Sequence, residues 1–585
     1  MLVGKTFIDP LKMPFSRRGS YIHLAGANGG SNQYAKAQVW ISTSRYGGNA
    51  MSGTLSDESI FRQIKVNAVK DGIVRNGVIH TTPYELTFES DAGNVSFCIG
   101  EYNLMSCRST AGVSLRFSPR PGQFGSSISD MHDGTIKVQF GTAFLHFVAQ
   151  AGTLSAKGPF IEIAPDANGV VEITLEEVTI EPKKRAAYPS YDECLAAVKA
   201  DFDGFAEKLV CDLPAAYKDG GLKAAWTVWG LTVVPDGEAA YKRRMVKMMR
   251  LIFEGAFSWQ QGMHTFFLAK DPDFSWEVLL AEFDVQDKNG RIADSLSPAG
   301  AGGATMKPPI EGVGLLWQME HFDLSKKPVE ELEFLYDRMT KWTNFYLNFR
   351  DVDHDGIFEN QTAGETGWES GSYQHLGFPL ACPDMNAYLA LQEEALAKLG
   401  RILGKDETIN AAWEQKSKDT ITKIIDMFWT PDGWVAMNAI TKEKSAPTSL
   451  VLYCTLLLGK RLPQEIIDRS IELIFDSGEY ETEFGFASEQ ISSPRFSHGW
   501  CGGSIATPIE ALLALGLDYC GRRDLSVKIA KRYLNTLDTF GLYHIHNTFD
   551  GTQEYQTPMF FREVSMFYSG WTAGCYLFFA ARYAD

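Results

Sequence analysis

The sequence predicts two domains, an N-terminal antiparallel β-sandwich followed by an all-α domain of the (α/α)6 barrel class. Three observations support this prediction. The chain has 585 residues, more than one ordinary hydrophobic core accommodates. Apolar and polar residues alternate up to about residue 182, and beyond it the apolar period lengthens to roughly 3.6 residues. A polar, proline-containing linker over 183–191 separates the two patterns, which assigns 1–182 to the sandwich and 192–585 to the barrel.

The first domain is predicted from short segments that alternate in polarity and are separated by Gly, Asn, Asp and Pro turns. Many such strands without helices between them indicate a sandwich. The segments are AQVWISTS, SIFRQIKVNAV, GIVRNGVIHTT, YELTFES, VSFCIGEY, VSLRFS, TIKVQFG, AFLHFVAQ, PFIEIAP and VVEITLEEVTIEP.

The second domain is predicted from segments with helical periodicity that come in pairs, separated by loops rich in Gly and Trp. About a dozen paired helices match a toroid of inner and outer helices, whose inner loops converge at one end and form a funnel. The segments are YDECLAAVKADFDGFAEKLV, LKAAWTVWGLTVV, AYKRRMVKMMRLIF, VEELEFLYDRMTKWTNFYLNF, DMNAYLALQEEALAKLGRILG, NAAWEQKSKDTITKIIDMFW, PTSLVLYCTLLLG, QEIIDRSIELIF, TPIEALLALGLDYC and LSVKIAKRYLNTL.

Composition narrows the class of protein. The formal net charge of −17 argues against nucleic acid as a partner, because binding to its phosphates needs clustered Lys and Arg. Nine cysteines without CxxC spacing fit reduced core thiols better than disulfides or a zinc site. The N-terminus lacks the apolar region of a secretory signal, and no apolar run reaches membrane-spanning length. We therefore expect a cytoplasmic protein without a membrane partner, and oligomerisation of identical chains stays open.

The segment ETGWES places Glu365 and Glu369 on either side of Trp368. This combination suits sugar chemistry, since an indole ring stacks on a pyranose face and a carboxyl group protonates a glycosidic oxygen. Taken alone, the segment slightly favours a solvated acidic loop with one buried Trp.

Four loop clusters of the second domain share glycines beside aromatic and polar residues. For any one cluster ordinary loop packing explains the composition, but four in the same context favour a polyhydroxylated ligand held close to the backbone. They are the segments FEGAFSWQQGMHTFFLA, the Gly-rich loop that ends at Lys307-Pro308-Pro309, ETGWES, and SSPRFSHGWCGGSIATP. The predicted substrate-binding residues are Trp259, Gln260, His264, Trp368, His498, Trp500 and Trp571.

Asp351, Asp353 and Asp355 precede Gly356 with the spacing of a calcium loop. The twelfth position is Thr362, which excludes a complete EF-hand. The pattern is as typical of an Asx-rich turn between two helices as of a single structural Ca²⁺ site. No other cofactor is expected.

The order of several motifs resembles glycoside hydrolase family 63 and its trehalase-like clan, over roughly residues 190 to 585. The family pattern W-D-x-x-F is represented with Gln in place of Asp, and Q-P-P with Lys in place of Gln. His498-Gly499-Trp500 is closer to the His-Gly-Trp of the α-L-rhamnosidases. The matching segments are Trp259 to Ala269, Gln286 to Ile292, Lys307-Pro308-Pro309, Arg350 to Gly356, Glu365 to Ser370, Asp384 to Leu389 and Ser569 to Gly574.

The resemblance implies inversion at an α-linked sugar by two carboxyl groups roughly 6.5–9.5 Å apart. The family's acid, an Asp, corresponds to Glu369, and Glu365 corresponds to a neighbouring Glu that we expect to contact the substrate or support the site. The family's base position holds His544 in this chain. We favour Glu554 as the base, with Glu489 and His544 as alternatives.

The leading hypothesis is therefore an exo-acting, inverting glycosidase for a small α-linked glycoside or oligosaccharide. A lyase, epimerase or phosphorylase on the same toroid is the second hypothesis, because one fold hosts several sugar chemistries and His544 replaces the family's base. A catalytically inactive carbohydrate-binding protein is the third, because the acid, the base and the Trp-Asp positions are all substituted.

Overall fold

Strands give way to helices close to the predicted linker. The computed structural model describes residues 3–10, 12–25, 39–45, 63–119, 127–140, 143–250, 254–302, 305–554 and 568–584. The last strand of the N-terminal domain ends at Val178 and the first long helix begins at Tyr191.

The N-terminal domain consists of two sheets packed face to face. One sheet has the order β1-β6-β7-β8-β9-β16-β13-β12-β11, and the other has the order β14-β15-β10-β4-β3-β2, with β5 paired to β4. Neighbouring strands are antiparallel except for β1 and β6. The strands are β1 (Val3–Thr6), β2 (Ile22–Ala25), β3 (Val39–Thr43), β4 (Gln63–Lys70), β5 (Ile73–Val74), β6 (Gly77–Thr81), β7 (Leu86–Ser90), β8 (Gly93–Glu101), β9 (Leu104–Ser109), β10 (Ser114–Pro119), β11 (Ser127–Asp130), β12 (Thr135–Phe140), β13 (Ala143–Ala151), β14 (Thr153–Lys157), β15 (Phe160–Ala164) and β16 (Val171–Val178).

The alternation of apolar residues aims one side of each strand at the other sheet. In β10, Leu115 and Phe117 are fully buried while the residues between and beside them are partly exposed. Phe117 meets Phe147 of β13, on the opposite sheet, edge to face with ring centroids 5.2 Å apart. This packing confirms the predicted sandwich.

The C-terminal domain is a ring of paired helices. Its helices, with the connecting helix α1, are α1 (Tyr191–Val210), α2 (Lys218–Leu231), α3 (Ser258–Phe267), α4 (Pro272–Ala281), α5 (Glu311–His321), α6 (Val329–Phe349), α7 (Ala363–Thr366), α8 (Pro383–Ile402), α9 (Glu407–Phe428), a 3-10 helix (Leu450–Arg461), α10 (Gln464–Phe475), α11 (Thr507–Tyr519), α12 (Arg523–Phe540) and α13 (Gly570–Arg582). The six inner helices are α3, α5, α8, the 3-10 helix, α11 and α13, and each contacts the next until α13 returns to α3. The predicted (α/α)6 barrel is therefore confirmed.

Helix α1 joins the two domains. Ser190 and Glu193 form a capping box at its N-terminus, which satisfies backbone N–H groups that the first turn leaves open. The helix packs on β8, β9 and α2. A buried ion pair adds a second connection, because Arg45 at the end of β3 contacts both Glu177 of β16 and Asp236, which follows α2. In the part of the chain that the structure describes, no helix is long and apolar enough to cross a membrane.

Two local predictions were wrong. The predicted helix over 240–253 is instead a short strand at Met245–Val246 with irregular flanks, and residues 251–253 lie outside the described residues. Two of its cations are buried against oxygen acceptors: Lys247 Nζ donates to Ser44 Oγ over 3.1 Å and Arg250 Nε donates to Gly230 O over 3.0 Å. The segment around Trp259, predicted as a loop, forms inner helix α3, whose residues are all buried.

Candidate active site

The predicted site residues gather where the inner helices begin. Trp259 lies in the first turn of α3, and Trp571 in the first turn of α13. Glu369 lies between α7 and α8, one residue after Trp368, and Trp500 precedes α11. This end of the toroid is the predicted funnel end.

Aromatic rings form the floor of this end. The Trp259 centroid lies 4.4 Å from that of Trp368 and 5.1 Å from that of Trp571, both edge to face. Trp500 stacks on Trp368 at 5.9 Å and on His544 at 4.7 Å. All five side chains are nearly fully buried. The rings therefore pack mainly on one another, and direct sugar contact by the four tryptophans stays a prediction.

Gly367 allows the turn that carries Glu369 to approach this floor. Its φ is +69°, a left-handed conformation that non-glycine residues rarely adopt, and a Cβ there would lie 2.5 Å from Trp259 Cζ3. A glycine is thus required both by the backbone and by the space beneath it.

Gln260 and His264, like the tryptophans, are buried behind the predicted funnel. Both are fully buried in the packing between α3 and α13. Gln260 Nε2 lies 3.1 Å from His264 Nε2 and donates to Lys247 O over 3.3 Å. Burial lowers the pKa of His264 to about 3, so its imidazole is neutral. These contacts suit a supporting role, and direct substrate contact by the two side chains stays a prediction.

Glu369, the predicted acid, is held by two groups and is 23% exposed. Lys307 Nζ donates to its Oε1 over 2.5 Å, and Trp500 Nε1 donates to its Oε2 over 2.9 Å. Burial lowers the pKa of Lys307, but the charges of Glu369 and Asp294 outweigh it and leave that pKa raised. Lys307 is therefore a cation at the floor of the site.

Glu365 is committed to other contacts. Arg350 Nη2 donates to its Oε1 over 2.9 Å, and the backbone N–H of Gln361 donates to its Oε2 over 2.7 Å. The residue is 4% exposed. These contacts tie α7 to the end of α6, which suits a supporting role and leaves little of the carboxylate for chemistry.

Glu554 lies on the other side of the loop that carries Trp500. Its Oε2 accepts a hydrogen bond from Asn547 Nδ2 over 2.8 Å and lies 3.1 Å from His498 Nδ1. The Glu554 side chain is 12% exposed and that of His498 is 49% exposed. One short loop, from His498 to Trp500, thus contacts both Glu369 and Glu554.

The two alternative bases differ in their surroundings. His544 is buried under Trp500, and burial lowers its pKa to about 3, which makes it a weak base. Glu489 is fully buried beside Ser449, which precedes the 3-10 helix, and neither of its carboxylate oxygens has a hydrogen-bond partner among the described residues.

Three residues of the site were not predicted as functional. Lys307 stands in a motif segment, so its place in the site could have been expected from the resemblance. Asp294 lies two residues beyond the Gln286 to Ile292 segment, and its partners are visible only in three dimensions. Asp384 begins α8 and accepts a hydrogen bond from Trp368 Nε1 over 3.0 Å; burial raises its pKa to about 7.

The predicted calcium ligands do converge. One carboxylate oxygen from each of Asp351, Asp353, Asp355 and Glu359 lies within 4.8 Å of the others. Burial, together with the repulsion of the three aspartates, raises the pKa of Glu359 to about 8. Lys442 pairs with Asp353 and balances part of the negative charge. A set of four carboxylates fits a hard cation that prefers oxygen ligands, such as Ca²⁺.

Comparison with known proteins relates this geometry to a family. Residues 243–569 match the mannosylglycerate hydrolase MGH1-like glycoside hydrolase domain. An uncharacterized protein of Borreliella burgdorferi is 20% identical over 269 residues, which is 45% of this chain and 54% of that protein. The chain therefore matches only about half the length of this curated relative.

Two groups of solved structures share the fold. A bacterial glucoamylase complexed with acarbose is 10% identical with a TM-score of 0.60, covering 99% of this chain and 97% of its own. The GH63 mannosylglycerate hydrolase of Thermus thermophilus, in complex with glucose, is 14% identical with a TM-score of 0.50, covering 61% of this chain and 98% of its own. The likeness to the glucoamylase extends over both domains.

Proposed function

Because the chain belongs to the mannosylglycerate hydrolase MGH1-like glycoside hydrolase family, we propose that it hydrolyses a small α-linked glycoside with inversion. It is a glycoside hydrolase of the family 63 and trehalase-like clan. In the proposed mechanism Glu369 protonates the departing glycosidic oxygen, and Glu554 activates the attacking water from the opposite face. The observation that carries the proposal is the loop from His498 to Trp500, which contacts both carboxylates.

The surroundings of Glu369 support the acid role. Its carboxyl group is the partly exposed polar group above a buried aromatic floor, where a departing oxygen can reach it. The Trp500 N–H donates to one carboxyl oxygen and Lys307 donates to the other. These two bonds hold the carboxyl group in one orientation before the substrate binds.

The surroundings of Glu554 support the base role. Asn547 and His498 both contact one oxygen of Glu554, so the carboxylate is oriented and a proton taken from water has a defined acceptor. Glu365 is occupied by Arg350, and the neutral His544 is covered by Trp500. His544 was the feature that favoured a lyase or phosphorylase, and its burial weakens that alternative.

The proposed substrate class follows from the family. We propose exo-action on a short α-linked glycoside, with the sandwich domain bordering the toroid through α1. The Thermus thermophilus relative is named for mannosylglycerate and has been solved with D-glycerate. Mannosylglycerate therefore belongs in a first substrate panel, beside aryl α- and β-glycosides of rhamnose, glucose and galactose.

The test combines this panel with NMR of the first anomer released. We expect an α-glycoside to yield the β-anomer first. Glu369→Gln should lower kcat on a poor leaving group about 10²–10⁴-fold, and lower it less on an activated aryl glycoside, whose departure needs no proton. Glu554→Gln should lower kcat equally on both kinds of glycoside, because both reactions require attack by water.

Glu472→Gln, on exposed outer helix α10, is the matched control and should retain activity. Full activity in Glu369→Gln, or first release of the α-anomer, would refute the assignment. The cytoplasmic location, the lack of a nucleic-acid partner and an assembly of identical chains remain proposals. Eight of the nine free cysteines are buried, which suits a reducing compartment, and light scattering would give the oligomeric state.

A further inference from the structure

One lysine at the floor of the site serves two carboxyl groups. Lys307 Nζ lies 2.5 Å from Glu369 Oε1 and 3.9 Å from Asp294 Oδ1, and it donates to Gly364 O over 2.8 Å. Asp294 is 5% exposed, and its Oδ1 has no hydrogen-bond partner among the described residues besides this distant ion pair. Its Oδ2 accepts a weak hydrogen bond from Thr305 Oγ1 over 3.4 Å.

This arrangement bears on a difficulty in the proposed mechanism. A general acid must carry a proton when the substrate binds, but a cation 2.5 Å away stabilises the ionised carboxylate. If Lys307 served Glu369 alone, the site would hold the acid in its unreactive form. The second carboxylate changes this balance, since one positive charge then faces two negative ones.

We propose that Asp294, Lys307 and Glu369 form one charge-sharing unit, in which Asp294 is a positioning residue that keeps Glu369 able to hold the catalytic proton. The inference rests on the proposed role of Glu369 as the acid. Burial raises the pKa of Asp294, so its charge depends on Lys307, the cation for which it competes with Glu369. The unit has one carboxylate in excess, and Glu369 is its more exposed member.

The other groups around Glu369 are uncharged or turned away. Trp500 and Trp368 are neutral, and burial keeps the Cys501 thiol protonated by raising its pKa. The lowered pKa of His544 leaves that ring neutral. Asp384 is bound to Trp368 Nε1, and the charges of Glu365 and Glu554 are engaged by Arg350 and by Asn547 with His498. Among the described residues, Lys307 is therefore the charged group in direct contact with Glu369, and Asp294 shares that cation.

Two variants should move the pH profile in opposite directions. A general acid loses activity as pH rises through its pKa, so the basic limb of kcat/KM reports the protonation of Glu369. Asp294→Asn leaves Lys307 to Glu369 alone and should shift this limb about one pH unit lower. Lys307→Gln removes the cation and should shift it about one unit higher. The double variant should return close to the parent, and Lys307→Arg should leave the limb in place.

A second measurement does not depend on turnover. Difference infrared spectroscopy against Glu369→Gln isolates the protonated carboxyl band of Glu369, and its intensity against pH gives a midpoint. The midpoint should fall in Asp294→Asn and rise in Lys307→Gln. Asp284→Asn, which breaks a similar ion pair to Arg243 far from the site, is the matched control and should leave it unchanged.

The outcomes separate the two proposals. Opposite shifts in both measurements support the charge-sharing unit. Shifts in the infrared midpoint without turnover of any tested glycoside support the unit and count against the proposed hydrolysis. Midpoints and limbs that stay in place, or move in the same direction in both variants, would overturn the unit whether or not the enzyme is active. Thermal unfolding identifies a variant that has failed to fold. If Lys307→Gln does not fold, Asp294→Asn and Lys307→Arg still distinguish the outcomes, because the midpoint and the basic limb should shift in the first and stay in place in the second.

Discussion

Replacing Trp500 by Phe tests how the candidate acid is oriented. The indole N–H of Trp500 donates both to Glu369 Oε2 and to Gly367 O, each over 2.9 Å. Phe keeps an aromatic ring between Trp368 and His544 but removes this donor. The variant thus leaves the stacked floor in place and releases one oxygen of the carboxyl group.

The expected cost follows from the two lost bonds. A hydrogen bond to a charged group contributes about 1.5–3 kcal/mol, and the partial exposure of Glu369 places its bond at the lower end of that range. The bond to Gly367 O is buried, and leaving that carbonyl unsatisfied costs about 1 kcal/mol more. We expect the free energy of unfolding to fall by about 2–3 kcal/mol. If half of this free energy is lost from the transition state, kcat/KM falls about tenfold.

The assay pairs thermal unfolding with kcat/KM on the best substrate of the panel. Trp434→Phe is the matched control, because Trp434 is equally buried but its N–H donates to the neutral hydroxyl of Ser470 over 3.3 Å, away from the site. It should lose about 1 kcal/mol and keep its kcat/KM. Equal losses of activity in the two variants, or a Trp500→Phe enzyme with parental kcat/KM, would refute the orienting role.

Three further predictions concern the turn and the acidic cluster. Gly367→Ala should destabilise the fold and slow the enzyme, since its methyl group would meet Trp259, whereas Gly377→Ala, with a similar φ but no atom within 4 Å, should show backbone strain alone in thermal unfolding. The pKa of Glu359 is raised from its unfolded value to about 8, so the folded state retains a proton that the unfolded state loses. The free energy of unfolding should therefore fall as pH rises from about 4.5 to 8. Urea unfolding of Glu359→Gln should show a flatter dependence on pH. At pH 8, Ca²⁺ should raise the unfolding temperature of the parent protein, and Mg²⁺ should not. Ca²⁺ should have no effect on the unfolding temperature of Asp353→Asn. An equal response in that variant would contradict a Ca²⁺ site at the cluster.

Elements with one face toward water were predicted from the period of their polarity, and inner helices α8 and α11, which are largely buried, were predicted as well. The strands of the sandwich and outer helices such as α6 and α10 expose one side, so their polarity alternates with the period of the element. Inner helices α3 and α13, which were not predicted as helices, are buried all round, so their polarity marks no solvent-facing side. The prediction of a helix over 240–253 was wrong for a different reason. Its Lys and Arg residues mimic a solvated helix face, but Lys247 and Arg250 are buried with oxygen partners.

The site was predicted in part for a related reason. Aromatic and carboxylate residues in glycine-rich loops marked Glu369, Trp368 and Trp500, and the structure brings these three together. The link from Glu369 to Lys307 spans 62 positions of the chain, and no local pattern connects them. Gln260 and His264 share a segment with Trp259, but neighbouring side chains along an inner helix point to different sides, so the sequence did not show that both are buried.

The departures from the family pattern at 307 and 369 are neighbours in space. Lys307 replaces Gln, Glu369 replaces Asp, and the two side chains meet at 2.5 Å. Glu is one methylene longer than Asp, which lets its carboxyl group reach Lys307 with one oxygen while Trp500 holds the other. Asp294, whose Oδ1 lies 3.9 Å from Lys307 Nζ, balances part of the added positive charge. The two substitutions are therefore one change in the ion balance of the site. A substituted acid position, which alone suggested an inactive protein, is for this reason compatible with a working general acid.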